Sequence, residues 1–303
     1  MFERFLAVLT SSLLVTACGG STYQATPGRA GDGGGVPTII AWGDNLTLGG
    51  GASSSDASYP SDLAGVLGRT VVNAGVSAET SRDIAARQGG APALFDVHGN
   101  AVPASGVVLI DQSSAWLIGN DGPDAIAGTL NGVHGLVTLT GDGTHLQFSR
   151  DAAGSVVSAP PHTPFLPDTQ DTRTWTNVLW LGRNNFDEPD QVLSDIAACV
   201  QYLQTDRFVV LAITNGANEG RSTSAYGEIT SINDRLAQAY PGHYLDVRSI
   251  LVEHYDSSSL QDQLDHSRDI VPSSLRSGDI DLNDAGYQIV AQSIAQILSD
   301  HGW

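Results

Sequence analysis

The chain has 303 residues, 33 acidic against 14 basic side chains, and a formal net charge of −19. That balance excludes nucleic acid as a partner, because such binding rests on Lys and Arg neutralising phosphates. It also excludes electrostatic adsorption to anionic lipid, and leaves solubility as the role of the charge.

In chain order, residues 1–18 read as a targeting segment: Arg4 supplies a positive start, and an apolar run over 5–17 leads to Val15-Thr16-Ala17-Cys18. The run falls short of the roughly 20 residues of a membrane span. Residues 19–35 are Gly-rich and read as a flexible tether. A single domain is expected over 36–303. Apolar runs at 38–42, 70–73, 178–181, 208–213 and 244–247 predict buried strands, and helical patterns fall at 59–68, 79–88, 189–204, 223–239 and 283–300. Pro189 suits an early helical position, where its missing N–H costs nothing. Strands alternating with helices predict an α/β domain whose parallel sheet is covered on both faces. Ligands of such sheets bind at the carboxyl ends of the strands, and Asn45 and Asn184 closely follow two of them.

Residues 91–168 break the alternation. They carry apolar runs at 107–110 and 115–118, and 136–148 reads as a hairpin around the Asp142-Gly143 turn. The segment is expected to be a small all-β insertion that either walls the mouth of a site or is a surface decoration or contact face for a partner. Cys199 lies in a helical pattern as a small buried thiol, so with Cys18 modified no disulfide is expected in the mature chain. No H-E-x-x-H or Cys cluster points to a metal, and no cofactor is implied. His98, His134, His145 and His162 all fall in the insertion.

Four stretches recur in a meaningful order: Gly43-Asp44-Asn45-Leu46-Thr47, then Asn73-Ala74-Gly75-Val76-Ser77-Ala78, then Gly182-Arg183-Asn184-Asn185, and finally Gly278-Asp279-Ile280-Asp281-Leu282-Asn283 running on to Gly286-Tyr287. Together they resemble the signature blocks of the SGNH (GDSL) hydrolases, a family of esterases and lipases, over roughly 36–90 and 170–303. The resemblance implies an SGNH-hydrolase-like, flavodoxin-like three-layer sandwich. It also implies that Asn45 stands at the position of the serine nucleophile, Asp281 at that of the histidine base and Gly278 at that of the orienting aspartate. Ala78 takes the place of the glycine whose N–H serves the oxyanion hole, Asn184 that of the oxyanion asparagine, and Gly182 and Asn73 belong to the same binding frame. Separately, Val15 to Cys18 resembles the lipobox of bacterial lipoproteins. That resemblance implies acylation of Cys18, a lipid anchor in the membrane and a cell-envelope location at the outer membrane, for which Gly19 is the sorting residue. A plain secretory peptide with an incidental Cys18 is the alternative.

The substitutions bear directly on chemistry. An amide cannot supply an alkoxide, and an aspartate with a pKa of about 4 is a weak base for a hydroxyl. Ester hydrolysis is therefore expected to be absent or strongly impaired, leaving an oxyanion-type pocket that binds an acylated glycan or a small ester. Two alternatives stay open: an active hydrolase or deacetylase with a non-standard catalytic set, and an envelope interaction protein acting through the insertion. For the former, Ser77, Thr47 and Thr80 are the hydroxyls near the blocks. His243, His254 and His266 are the nearby imidazoles, His266 lying in a polar, loop-like stretch. Sugar faces stack on aromatic rings, and Trp42, Trp116, Trp175 and Trp180 are the large surfaces on offer. Trp116 is expected either to serve there or to plug the core of the insertion.

Overall fold

A computed structural model of the chain describes residues 38–112, 114–118 and 123–303. The expected targeting segment, Cys18 and the tether lie outside the described residues. The domain begins with β1 (Ile39–Gly43), α1 (Asn45–Leu48), α2 (Tyr59–Leu67), β2 (Val71–Gly75) and α3 (Ser81–Gln88). The insertion contributes β3 (Ala93–Val97), β4 (Ala101–Val102), β5 (Val107–Gln112), β6 (Ala125–Leu130), β7 (Val133–Leu139), β8 (Leu146–Arg150), β9 (Val157–Ser158) and β10 (Thr163–Pro167). After it come β11 (Thr176–Trp180), α4 (Pro189–Tyr202), β12 (Phe208–Leu211), α5 (Ser224–Ala239), β13 (Tyr244–Leu245), α6 (Val247–Glu253), α7 (Leu260–Ser267) and α8 (Asp284–His301).

Five strands form one parallel sheet in the order β13-β12-β11-β1-β2. Counted along the chain without the insertion, this is the doubly wound order 2-1-3-4-5. Every residue of β1, β11 and β12 is buried, as parallel strands covered on both faces require. The period of two divides β1 between the faces: Ile39 and Ala41 pack with Leu63, Tyr287 and Ile294 from α2 and α8, while Ile40 and Trp42 pack with Ile84, Ile196 and Ile232 from α3, α4 and α5. The result is a three-layer α/β sandwich. Among the described residues, no helix is long and apolar enough to cross a membrane.

One stretch departs from the expected pattern. The polar segment around His266 is helical, as part of α7, and not a loop. Leu260 and Leu264 of α7 are exposed, so no apolar stripe announces the helix. Two buried carboxylates hold it instead. Asp262 accepts from the hydroxyls of Ser273 (2.9 Å) and Ser274, and Asp265 accepts from Ser273 N (2.9 Å) and pairs with Arg276 (3.1 Å).

The insertion is all-β. Six of its strands close into an antiparallel barrel in the order β10-β3-β5-β8-β7-β6, which leaves none of the six as an open edge, and β4 and β9 form a separate ribbon. Phe95, Phe148 and Phe165 fill the barrel, with edge-to-face centroid distances of 5.9 and 6.5 Å. The expected hairpin is β7–β8. The apolar run at 115–118 forms no strand: Ala115, Leu117 and Ile118 enter the barrel core from a loop, whereas Trp116 is 71% exposed and plugs nothing.

On the outside of the barrel, His134 of β7 bridges two carboxylates, Asp151 beyond β8 at 2.5 Å and Asp168 beyond β10 at 2.6 Å. Those bonds, first to Asp168 and then to Asp151, raise the pKa of the imidazole. Because the folded pKa lies above the unfolded one, the bridge stabilises fully below about pH 6.5 and is lost as pH rises through the folded pKa. His134→Gln is expected to lower barrel stability more at about pH 6 than at about pH 9. The loss should stay within about 1 kcal/mol per pair, since the groups are largely exposed and screened by salt. Urea melts at the two pH values check this, and equal losses at both would count against the bridge.

Candidate functional site

The site is assembled where β1 and β11 deliver the chain to the carboxyl end of the sheet. Asp44 caps α1 by accepting from Leu46 N at 3.0 Å, and this fixes Asn45 as the first helical residue. The Asn45 side chain then reaches across 236 residues of sequence, its Nδ2 donating to Asp281 Oδ1 at 2.6 Å. Asp281 is held in a short turn ahead of α8. Its carbonyl accepts from Ser277 N (3.0 Å), and Arg276 bridges to Leu282. The Tyr287 hydroxyl donates to Gly50 O (2.6 Å), locking α8 to the loop behind Asn45.

Ala78 is exposed and adopts φ +61°. In that left-handed conformation a side chain costs on the order of 1–2 kcal/mol and glycine does not, which is the physical sense of a glycine in the related blocks. Just after it, the Glu79–Thr80 peptide is gripped from both sides. Its carbonyl accepts from Asn184 Nδ2 at 2.8 Å, and its N–H donates to Asp83 Oδ2 at 2.9 Å. The other contact of Asn184 Nδ2 is a longer one to Asp44 Oδ2, 3.3 Å. Both acceptors are unambiguous, so the amide orientation follows from its surroundings. Below this loop the buried Glu79 carboxylate pairs with Arg87 (2.6 Å), whose guanidinium lies over Trp42 at 5.3 Å. Burial pushes the Glu79 carboxyl up against the pull of Arg87.

Gly182 has φ +102°, and a Cβ there would meet Val192 and Ile213 side chains at 2.6 and 2.9 Å. It is a packing glycine that lets the loop after β11 lie against α4. Asn73 braces α1, with Nδ2 donating to Leu48 O (3.2 Å) and Oδ1 accepting from Gly75 N (2.9 Å). Gly278 is exposed; its carbonyl accepts from Arg276 Nη1 (2.8 Å), and a Cβ added there would meet nothing within 4 Å.

The other candidates fall elsewhere. Thr47 is buried against the Tyr59 hydroxyl (3.3 Å), and Thr80 caps α3. His266 stacks on Tyr255 (4.1 Å) and faces Glu253 (3.5 Å). His243 stacks on Phe208 and Trp303, and His254, which ends α6, bonds back to Ile250 O. Trp42 and Trp180 are enclosed in the two cores and cannot wall a pocket, because the sheet alternation turns them inward. Trp175 is half-buried against the same helices, which leaves Trp116 as the exposed indole of those four. Glu79, Arg87 and Glu219 were not anticipated, since their partners are distant or cross a helix start, and Asp83 was missed although Thr80-Ser81-Arg82-Asp83 carries the capping-box pattern seen at the start of α3. Among the described residues, no group of three or more His, Cys, Asp or Glu could hold a metal ion.

Arg183 is buried and pairs with Glu219 at 2.7 Å, linking the loop after β11 to the one after β12. It also bears on Asp44, whose carboxyl is pushed up to about 7. Burial is the dominant cause, aided by the charges of Glu79 and Asp281 and opposed by the Leu46 N–H and by Arg183. The unfolded carboxyl, near 3.8, releases its proton first. The folded form is therefore favoured below about pH 4 and loses that advantage as pH rises to about 7, by an amount on the order of 4 kcal/mol. Asp44→Asn keeps a capping oxygen and carries no titrating proton. Its stability is expected to vary less with pH over that window than the parent's. Urea denaturation of both proteins between about pH 4 and about pH 8 measures the difference, and parallel curves would show that Asp44 carries no such shift.

No protein-family model and no curated protein matches this sequence. Solved structures do resemble it. One is a Desulfitobacterium hafniense DCB-2 protein assigned to the G-D-S-L lipolytic family, with 11% identity, 86% of this chain and 99% of that one covered, and a TM-score of 0.48. A member of the lipolytic protein G-D-S-L family from Veillonella parvula DSM 2008 shows 11% identity, covers 86% and 98% of the two chains and scores 0.46. An esterase of the SGNH-hydrolase family shows 16% identity, with 70% and 76% covered and a score of 0.36. None of these three scores reaches 0.5. The four sequence stretches that resemble the SGNH (GDSL) blocks meet at one edge of the sheet.

Proposed function

We propose that this chain is a cell-envelope lipoprotein that uses an SGNH-type pocket to bind a neutral glycan, plain or acylated, without hydrolysing it. The observation that carries this reading is the 2.6 Å hydrogen bond from Asn45 to Asp281. It occupies the contact that a nucleophile and its base would make in a serine hydrolase. An amide nitrogen has no lone pair free for attack, and the carboxylate facing it serves as an acceptor. Ligand chemistry follows from charge. Arg87 and Arg183, the cations beneath and beside the pocket, are each engaged with a glutamate, while Asp281 faces the ligand side. An anionic ligand would meet the Asp281 carboxylate, an unfavourable approach of like charges. Hydroxyl groups suit the floor better. Asn45 keeps a second amide hydrogen and its carbonyl, Asp281 a second oxygen, and Ala78 its N–H.

Hydrolysis of p-nitrophenyl acetate by the mature protein is expected to stay at background. Asn45→Ser alone should add little, because Asp281 cannot shuttle a proton as an imidazole does. Asn45→Ser combined with Asp281→His and Gly278→Asp should exceed the single variant by roughly 10²-fold or more, a strongly non-additive effect. The open space at Gly278 accommodates the added carboxylate. Robust turnover by the unmodified protein, abolished by Ser77→Ala or His266→Ala, would instead establish an active hydrolase with a relocated catalytic set.

The anchoring half of the proposal rests on the Val15-Thr16-Ala17-Cys18 sequence. Cells expressing the full chain and fed an alkyne-bearing palmitate are expected to label it, and Cys18→Ser should remove both the label and partition into the detergent phase. An unlabelled parent protein would rule the lipid anchor out.

A further inference from the structure

Two Asn-Gly pairs occur in the chain, at 131–132 and 215–216. Such a pair carries a latent reaction, because glycine places no side chain in the way when its backbone nitrogen attacks the neighbouring carboxamide. The fold treats the two pairs differently. Asn131 and Gly132 form the two-residue turn between β6 and β7, with φ of +45° and +81° and the strand ends Leu130 and Val133 paired beside them. Both are exposed, and a Cβ added at Gly132 would meet nothing within 4 Å. Among the described residues the Gly132 N–H has no acceptor. The carboxamide is restrained by one exposed bond, Asn131 Nδ2 donating to Ser158 O at 2.6 Å.

Asn215 is buried and clamped. Its Nδ2 donates to Glu219 O (2.8 Å) and Asp269 O (2.9 Å), and its Oδ1 accepts from Arg248 Nε (2.9 Å). Gly216 N donates to Glu219 Oε2 at 2.6 Å, so electrophile and nucleophile are both held. At the Asp142-Gly143 turn the same cyclisation would need a protonated acid. Bonds from Thr140 and then Thr144 hold that carboxyl down to about 2, and an ionised carboxylate is a poor electrophile.

We propose that Asn131 is a spontaneous modification site, and that its deamidation frees the β4–β9 ribbon from the β6–β7 hairpin. When the tip of the hairpin frays, base removes the Gly132 N–H proton and the nitrogen attacks Asn131 Cγ. A bond forms between Gly132 N and Cγ, the Cγ–Nδ2 bond breaks, and Nδ2 leaves as ammonia with a proton from water. Water then opens the cyclic imide at either carbonyl, giving aspartate or isoaspartate at 131. One water is consumed and one ammonia released, with no change of oxidation state. Either product removes the donor that faces Ser158 O and adds a negative charge at the tip. Isoaspartate also lengthens the backbone by a methylene, which a two-residue turn cannot absorb. The ribbon has only the pairs Ala101–Ser158 and Val102–Val157, so loss of the tie to Ser158 falls directly on it. None of this depends on what the pocket binds.

The experiment holds the purified full chain folded in mildly alkaline buffer, with a parallel sample in urea, and maps conversion to the residue by mass spectrometry of digests. In the folded chain Asn131 is expected to convert roughly 10-fold or more faster than Asn215, because protection follows local opening. In urea the two should convert at similar rates. An Asn131 that stays an amide in the folded chain after the unfolded chain has converted would overturn the site, as would equal conversion of Asn215 in the folded chain. Asn131→Asp tests the consequence by hydrogen exchange. Peptides covering 100–102 and 157–159 are expected to exchange several-fold faster than in the parent, with β11 and β12 unchanged. Unaltered exchange in the ribbon, or equal acceleration in β11 and β12, would overturn a local release.

Discussion

A parallel sheet whose first strand lies inside it must send its first two crossovers to opposite faces. Here the crossover after β1 runs through α2 on one face, and the crossover after β2 runs through α3 on the other. The loops leaving β1 and β11 therefore part at the carboxyl edge, and the crevice between them is the topological switch point where such folds take ligands. Asp44, Asn45, the 78–80 loop and Asn184 meet there because of strand order, before any particular side chain is considered. What the side chains add is closure. The Asn45–Asp281 bond ties the start of the domain to the approach to its last helix, and Tyr287 repeats the tie through Gly50.

Much of this was legible because buried parallel strands are continuous apolar runs, and β1, β11 and β12 are buried at every position. The helices were legible from their patterns, and in the structure Thr80 and Asn283 cap α3 and α8 with their own side chains. What stayed hidden is non-local. The α7 helix carries no apolar stripe and depends on Asp262 and Asp265 receiving bonds from residues that follow it. The fates of the tryptophans were equally opaque. An apolar run announces Trp42 and Trp180 without saying that helices cover both faces, and at 115–118 no period tells which residue of the run is left outside. The ion pairs Glu79–Arg87 and Arg183–Glu219 lack any sequence signature because their spacing is set by the fold.

Asp44 shows how the same architecture sets electrostatics. The capping position demands an acceptor for the Leu46 N–H, and the switch point buries it beside two more carboxylates. A group chosen for local helix geometry thus becomes a titrating site near neutral pH. This explains how a strongly acidic chain can keep carboxylates clustered at one sheet edge. One of them is partly protonated, one is paired with Arg87, and one receives the Asn45 amide.

The insertion adds a barrel without disturbing the sheet because its first and last strands, β3 and β10, pair with each other, so the chain leaves and re-enters at adjacent points. Thr169 returns to the end of α3 by donating to Gln88 O at 2.7 Å. Arg150, the single Lys or Arg of the insertion, is engaged with the carbonyls of Pro103, Ala152 and Ser155 and braces a loop. Asp83 joins the barrel to the carboxyl edge of the sheet. It belongs to α3, caps the peptide that positions Asn184, and holds the backbone of Trp116 with its remaining oxygen.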